Sequence, residues 1–283
     1  MDQAEKLRQI SQNLEFCPQP RVIAVTSGKG GVGKTNLVAN LGICLAEGGY
    51  RVLLLDADLG TANLDVLLGM FTEYSLYEVI RGYRSLDEVI VTGPGGIKLI
   101  PGAAGFREMS YLDGIRKEQL EKRLGEYTQK CDFLLIDTGA GISKNVLSFI
   151  SIASEVIVVV TPEPTSLADA YCLIKVICRF NLSRNIHIVV NMASSIIEAN
   201  QTAEKITHVC NHFLLKNIDT LGYVLDNNCV GQAVREQVPF VQRYPKSGAA
   251  LQVRAVARAL ETGSVPKEPF KEGFVSKIMR IFG

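Results

Sequence analysis

Short apolar runs recur along the chain, with helical stretches between them. The candidate strands cover residues 21–27, 51–56, 97–100, 132–137, 155–161, 186–191 and 219–224. Several are almost continuous in Val, Ile and Leu, which is typical of strands buried on both faces of a parallel sheet that helices cover. The pattern therefore predicts an α/β fold: a single doubly wound, mostly parallel sheet with helices on both faces, over about residues 20–261.

Two segments lie outside this predicted domain. Residues 1–19 contain a polar helix candidate over 2–14, and residues 262–269 have the Gly and Pro content of a linker. Beyond the linker, 270–283 predict an amphipathic helix that is short, basic and rich in Phe, which indicates an interfacial membrane helix. The alternative is a terminal helix packed on the core. The residues predicted to contact lipid are Phe270, Phe274, Ile278, Ile281 and Phe282.

Composition and charge narrow the classes of function. Of the 283 residues, 47% are hydrophobic, which allows a sizeable core, and the formal net charge of +1 gives no global attraction to nucleic acid or membrane. We therefore expect no nucleic-acid partner, and any membrane contact must be local. The seven cysteines are scattered without a C-x-x-C pair, which favours a reducing cytoplasm. No apolar run approaches the roughly 20 residues that span a bilayer, and we expect no signal segment.

Residues 28–35, Gly-Lys-Gly-Gly-Val-Gly-Lys-Thr, carry the strongest functional signal. They satisfy the phosphate-loop pattern G-x-x-x-x-G-K-[ST] between a predicted strand and a predicted helix. The glycines let backbone N–H groups surround phosphate oxygens, and the helix N-terminus adds its positive dipole end. We expect Lys34 to reach the β- and γ-phosphates and the Thr35 hydroxyl to bind Mg²⁺. The predicted nucleotide contacts are Gly28, Lys29, Gly30, Gly31, Val32, Gly33, Lys34, Thr35 and Asn36.

A second lysine, Lys29, lies early in the loop, where a simple phosphate loop needs no cation. Folded back it would crowd its own nucleotide site, whereas pointed outward it could reach a nucleotide held by a facing subunit. The loop resembles the deviant Walker A loop of the MinD/ParA/nitrogenase-iron-protein family, in which that lysine contacts the partner's phosphates. The resemblance implies an ATPase that uses ATP and Mg²⁺ and works as a homodimer, with Lys29 and Lys34 as catalytic residues. The alternative is a solvated loop lysine.

Carboxylates end two of the predicted strands. Asp56 and Asp58 follow one strand, and Asp137 ends another ahead of Thr-Gly-Ala-Gly. Carboxylates at such strand ends face the ligand crevice of an open α/β sheet. In phosphate-loop proteins an aspartate placed like Asp137 holds Mg²⁺. The family resemblance implies that Asp58 orients the attacking water and that Asp58, Asp137 and Thr35 surround the metal. For each aspartate the alternative is a solvated strand-end turn.

Other polar residues carry weaker signals. Asn191 ends a predicted strand where relatives use an asparagine to hydrogen-bond adenine, and an ordinary Asn turn is the alternative. His187 lies in an apolar strand pattern and predicts a core histidine. His208 and His212 are four residues apart on a helix candidate, but no carboxylate or cysteine set completes a metal site there, so we expect a solvated face.

The N-terminal segment resembles one branch of the family. Residues 2–8 read Asp-Gln-Ala-Glu-Lys-Leu-Arg and resemble the D-Q-A-x-x-L-R segment of the flagellar-number regulators called FlhG or FleN. In those proteins this segment stimulates the signal-recognition-type (SRP-type) GTPase FlhF, which implies partner contacts by Gln3, Leu7 and Arg8. The resemblance implies a switch at the inner face of the cell membrane that regulates flagellar number and placement, with membrane lipid and flagellar C-ring proteins as further partners.

Three alternatives to a flagellar regulator stay open. A ParA-type DNA-segregation ATPase needs a basic patch, which the near-neutral charge and the Phe-rich tail disfavour. An iron–sulfur carrier needs cysteines close after Asp137, and none follows before Cys172. A division-site ATPase of the MinD type would fit the loop, but the N-terminal segment argues against it.

Overall fold

The computed structural model describes residues 20–58, 63–102, 114–183, 185–262, 276–278 and 281, and for 114–121 it describes the backbone alone. The sequence predictions for Gln3, Leu7, Arg8, Phe270, Phe274 and Phe282 lie outside the described residues.

The described strands form one eight-stranded sheet. The strands are β1 Arg21–Ser27, β2 Val52–Ala57, β3 Val91–Thr92, β4 Lys98–Ile100, β5 Phe133–Ala140, β6 Glu155–Val160, β7 Asn185–Ala193 and β8 Asp219–Leu225. Their order in the sheet is β3-β4-β2-β5-β1-β6-β7-β8, and the pairing is parallel throughout except between β3 and β4. The predicted fold class is confirmed. The sequence pattern missed β3, because a two-residue strand is too short to show alternation.

Helices pack on both faces of the sheet. They are α1 Lys34–Glu47, α2 Leu64–Leu67, α3 Leu76–Arg81, α4 Leu86–Val89, α5 Gly114–Gln129, α6 Lys144–Ile152, α7 Pro164–Arg179, α8 Ile196–Leu214, α9 Asn228–Glu236, α10 Phe240–Arg243 and α11 Gly248–Thr262. Successive residues of β1 alternate between two apolar clusters: Val22 and Ala24 join the one that includes α6, α7 and α8, and Ile23 and Val25 join the one that includes α1 and α11. This burial on both faces explains the continuous apolar runs in the sequence.

A buried ion pair lies at the edge of the sheet where the strands begin. Glu155 is fully buried, and the Nε and Nη2 atoms of Arg21 each donate to its carboxylate at 2.7 Å. The third guanidinium nitrogen, Nη1, donates to the carbonyl of Leu260 in α11. Burial acts to raise the pKa of Glu155, but the nearby His187 ring and the hydrogen bonds from Arg21 outweigh it, so this pKa lies below its usual value. Arg21 therefore ties two strands and the last turns of α11 together.

Replacing Arg21 by methionine should lower the free energy of unfolding by about 3–5 kcal/mol at neutral pH, because Glu155 would stay buried without its cation. In the native protein the lowered pKa of Glu155 gives stability that is present above its unfolded pKa of about 4.3 and is lost as the pH falls through the folded value. In Arg21→Met that pKa should rise, so the difference from wild type should shrink as the pH falls. Urea unfolding across this pH range measures both effects.

Arg51→Met is the matched control for Arg21→Met. Arg51 pairs with Asp132 at the start of the neighbouring strand, but 59% of the Arg51 side chain and 29% of the Asp132 side chain are exposed. Exposed pairs contribute about 1 kcal/mol or less, so this variant should be only slightly destabilised. If Arg21→Met and Arg51→Met lost the same free energy of unfolding, the buried pair would not be more important for stability than the exposed one.

The described part of the tail contacts the core. Residues 276–278 and 281 have helical backbone, Ile278 is only 1% exposed within the apolar cluster of α6, α7 and α8, and Ile281 packs against the same cluster. This is the packed arrangement that the sequence left open as the alternative. Lipid contact by Ile278 and Ile281 stays a prediction. Among the described residues, no helix combines the length and the apolar character that crossing a membrane requires.

Candidate active site

The phosphate loop joins β1 to α1. Gly31 and Gly33 have φ angles of 79° and 80°, a left-handed conformation that glycine adopts without steric cost. Gly33 is the N-cap of α1, and the first turn of that helix has no acidic side chain to compete for its N–H groups. The loop therefore leads directly into a helix N-terminus that is suited to anions.

Neighbouring elements hold the loop from outside. At Gly28 a Cβ atom would lie 2.3 Å from the backbone carbonyl carbon of Asp169 in α7, so only glycine fits this position. The Ser27 hydroxyl donates to the Lys29 carbonyl at 2.8 Å, and the Nδ2 atom of Asn191 in β7 donates to the Val32 carbonyl at 2.8 Å. Asn191 thus lies close to the phosphate loop. It is not the last residue of its strand, which the sequence predicted it to be, because β7 continues to Ala193.

Lys34 and Asp137 meet although they are far apart in the sequence. The Lys34 ammonium donates to Asp137 Oδ1 at 2.7 Å, and the two side chains are 8% and 1% exposed. The Thr35 side chain also lies beside the Asp137 carboxylate. Burial raises the pKa of Asp137, and the Lys34 charge opposes that rise. The structure thus brings together three residues that the sequence predicted as phosphate or metal contacts.

Asp56 has a function that the sequence reasoning did not assign. Its carboxylate is 2% exposed and accepts hydrogen bonds from the backbone nitrogens of Asp58, Asn63 and Leu64 at 3.3, 3.1 and 3.2 Å. Burial and then the nearby Asp137 charge raise the pKa of Asp56 to about 7. Asp56 therefore ties the end of β2 to the start of α2. A D-x-D pattern alone could not show that the chain returns to its first carboxylate several residues later.

The segments after β2 and within β5 touch each other and the loop. Asp58 is partly buried, and its Oδ1 atom would lie 3.4 Å from a Cβ atom built on Gly139. The amide of Gly141 donates to the Ser27 carbonyl at 2.8 Å. Asp58 therefore lies beside β5, and the end of β5 lies beside the start of the phosphate loop.

Lys29 points away from the interior of its own loop. Its Nζ atom lies 2.6 Å from Glu163 Oε2 and 3.2 Å from Thr165 Oγ1 at the start of α7, and 41% of the Lys29 side chain is exposed. The Lys29 hydrogen bond lowers the pKa of Glu163. The sequence pattern alone could not identify this contact.

The three histidines lie outside this site. His187 is 12% exposed, and its Nε2 atom is 3.5 Å from Glu155 at the opposite edge of the sheet. His208 and His212 are exposed, and their rings stack with centroids 6.2 Å apart. In the part of the chain that the structure describes, no three or more His, Cys, Asp or Glu side chains cluster in a way that could hold a metal ion by themselves.

Similarity to known proteins agrees with this geometry. A family model described as an AAA domain matches residues 20–190. The antiactivator FleN of Pseudomonas aeruginosa is 40% identical over 262 residues, which cover 92% of this chain and 94% of that protein. The solved structure of the septum site-determining protein MinD from Pyrococcus horikoshii, complexed with Mg-ADP, has a TM-score of 0.69 and 26% identity over 86% of this chain and 96% of that one. The chain belongs to the MinD/ParA family.

This MinD/ParA protein is an ATPase, as the sequence predicted. The similarity to flagellar regulators is not confined to FleN. The flagellum site-determining protein YlxH of Helicobacter pylori is 32% identical over 272 residues, which cover 93% of this chain and 91% of that protein. Both matches cover most of each protein, so the likeness concerns the whole chain and not the loop alone.

Proposed function

We propose that this MinD/ParA ATPase is an ATP-dependent dimerising switch that associates with the inner face of the cell membrane and regulates the number and placement of flagella. The observation that carries the proposal is the likeness to FleN over 92% of this chain. The outward direction of Lys29 supports it, because an outward cation in the loop can serve a second copy of the chain. Under this proposal residues 20–261 form the ATPase domain and the two ends contact partners.

The site fits ATP and Mg²⁺. Gly31 has open space around its missing Cβ, which leaves room for phosphate beside the backbone N–H groups of residues 28–36. Thr35, Asp58 and Asp137 supply the oxygen ligands that Mg²⁺ prefers. The ion would neutralise charge on the β- and γ-phosphates. On nucleotide binding Lys34 exchanges Asp137 for phosphate oxygens, and the Asn191 amide faces the adenine.

Hydrolysis needs groups that act on the γ-phosphate and on water. Asp58 orients the attacking water, and Lys29 leaves Glu163 to reach the nucleotide held by the other copy. There it stabilises charge on the transferring phosphoryl group, as an arginine finger does. Exposed ion pairs are weak, so the Lys29–Glu163 pair presents little obstacle to this exchange. Release of phosphate then frees the segments around Asp58 and Asp137, and the dimer separates.

Membrane association requires the tail to change partners. Ile278 cannot be buried in the apolar cluster of α6, α7 and α8 and in lipid at the same time. The membrane-bound form therefore has an undocked tail. One short amphipathic helix binds lipid weakly, whereas a dimer presents two and gains avidity. ATP would in this way control membrane binding through dimerisation.

Liposome co-sedimentation tests the proposal. The full chain should sediment with anionic liposomes in the presence of ATP much more than with ADP, and removing residues 270–283 should abolish the difference. Removing residues 1–19 is the control: lipid binding and ATP hydrolysis should persist, while stimulation of an SRP-type GTPase such as FlhF should be lost. Equal sedimentation of the full and tail-deleted chains with ATP and with ADP would rule out the membrane switch.

A further inference from the structure

A loop that binds phosphate through its N–H groups must direct carbonyl groups to its outer side, where other groups have to satisfy them. The structure shows side-chain donors for two of these carbonyls. Ser27 donates to the Lys29 carbonyl and Asn191 to the Val32 carbonyl, each at 2.8 Å. Ser27 is adjacent to the loop in sequence, whereas Asn191 comes from β7, which is 159 residues away from Val32.

The Asn191 contact is at the point where the loop turns into α1. Val32 precedes the N-cap Gly33, whose left-handed φ of 80° sets the direction in which Lys34 enters the helix. A Cβ atom on Gly33 would lie 2.3 Å from Asn191 Nδ2, so the amide packs directly against this turn. A bond to the Val32 carbonyl therefore fixes the turn that aims Lys34.

The backbone of β7 is irregular directly after Asn191. The register of β7 with β8 shifts between Asn191 and Ala193, and Met192 between them has a positive φ of 58°. Such irregularities change the direction of a side chain, and a non-glycine residue in this conformation costs about 1–3 kcal/mol.

We propose that Asn191 is a positioning residue of the ATPase site, which holds the Val32 carbonyl outward and so preorganises the loop for the triphosphate. This function is separate from hydrogen bonding to adenine. The bond to Val32 uses one of the two N–H groups of the amide, and the second N–H and the Oδ1 acceptor stay available for the base. One side chain thereby links the base end of the site to its phosphate end. The inference rests on the ATPase activity.

Ligands that lack one half of ATP separate the two functions. Displacement of a fluorescent ADP analogue by magnesium tripolyphosphate measures the phosphate site alone, and displacement by adenosine measures the base site alone. Asn191→Asp keeps the shape of the side chain but replaces the donor with a carboxylate that repels the Val32 carbonyl. Since it leaves a carbonyl without its donor, we expect it to weaken tripolyphosphate binding by about tenfold or more and to lower kcat.

Asn185→Asp is the matched control. Asn185 is at the other end of β7 and donates through Nδ2 to the Ser154 carbonyl at 3.3 Å, so the same change removes the same kind of bond away from the loop. It should leave tripolyphosphate affinity and kcat unchanged. The positioning function is wrong if Asn191→Asp lowers only the affinity for adenosine. It is also wrong if Asn191→Asp and Asn185→Asp lower the affinity for tripolyphosphate equally.

Asn191→Ala removes the donor without adding charge and serves if Asn191→Asp does not fold. Asn191→Ala should also weaken the binding of tripolyphosphate, but by a smaller factor. Unchanged affinity for tripolyphosphate in this variant would overturn the inference. A wild-type chain that binds neither the ADP analogue nor tripolyphosphate would instead contradict the nucleotide site itself. The two failures are therefore distinguishable.

Discussion

Replacing Lys34 by methionine should abolish ATP hydrolysis and also destabilise the fold, whereas Lys29→Met should abolish hydrolysis alone. Both lysines are in the phosphate loop, but their surroundings differ. Lys34 is buried against the carboxylate of Asp137, and its removal leaves that buried group without a cation, at a cost of about 3–5 kcal/mol. Lys29 and Glu163 are exposed, so breaking their pair should leave the free energy of unfolding unchanged within error.

The same pair of variants should differ in nucleotide binding. Lys34→Met removes the cation that meets the phosphates in its own site, so binding of ATP should be strongly weakened. Lys29→Met should bind ATP almost normally and yet lose hydrolysis by about 10³-fold or more, since it removes a charge supplied in trans. Urea unfolding, nucleotide titration and steady-state hydrolysis measure the three properties separately. Normal hydrolysis by Lys29→Met would contradict a site that a second copy completes.

The parts of the site that depend on local sequence were predictable. The phosphate loop, the helix that follows it and the carboxylate at Asp137 are each signalled by a few adjacent residues. The apolar runs predicted the strands because burial on both faces removes polar residues from them. The short strand β3 was missed, since two residues carry no pattern.

The contacts that bridge distant segments were not predictable from one sequence. Lys34 reaches Asp137 only because β1 and β5 are neighbours in the sheet. The partner of Lys29 is Glu163, whose position depends on how α7 packs against the loop. Asp56 accepts from the Leu64 amide because packing places the start of α2 beside the end of β2. In each case the sequence supplied a suitable residue type, and the three-dimensional packing decided what that residue contacts.

Packing also decides what the tail contacts. Its apolar positions suit lipid and a protein core equally, because both environments select the same side chains. The structure shows Ile278 in the core, which gives the proposed switch two competing states for one apolar face. In the proposed switch, the balance between these two states depends on the second copy of the chain.

Asp58→Ala should therefore stop the switch in its membrane-bound state. Without the carboxylate that orients water, hydrolysis should fall by about 10²–10⁴-fold. ATP binding should persist, because the phosphate loop, Thr35 and Asp137 remain to hold the phosphates and Mg²⁺. An ATP dimer that cannot hydrolyse keeps both tails available for lipid, so the variant should remain on anionic liposomes after the wild type has been released. Co-sedimentation over time after a single addition of ATP, with phosphate release measured in parallel, follows both properties.

Asp65→Ala is the matched control for Asp58→Ala. Asp65 is in the first turn of α2, and its carboxylate accepts from the Thr72 hydroxyl at 2.7 Å and from the Val66 amide at 2.8 Å. The same substitution seven residues away should therefore leave hydrolysis and release from liposomes close to wild type. Normal hydrolysis by Asp58→Ala would show that another group orients the water. Slow hydrolysis with normal release would show that membrane binding does not depend on the nucleotide, because in the proposed switch the γ-phosphate is what keeps the two tails together.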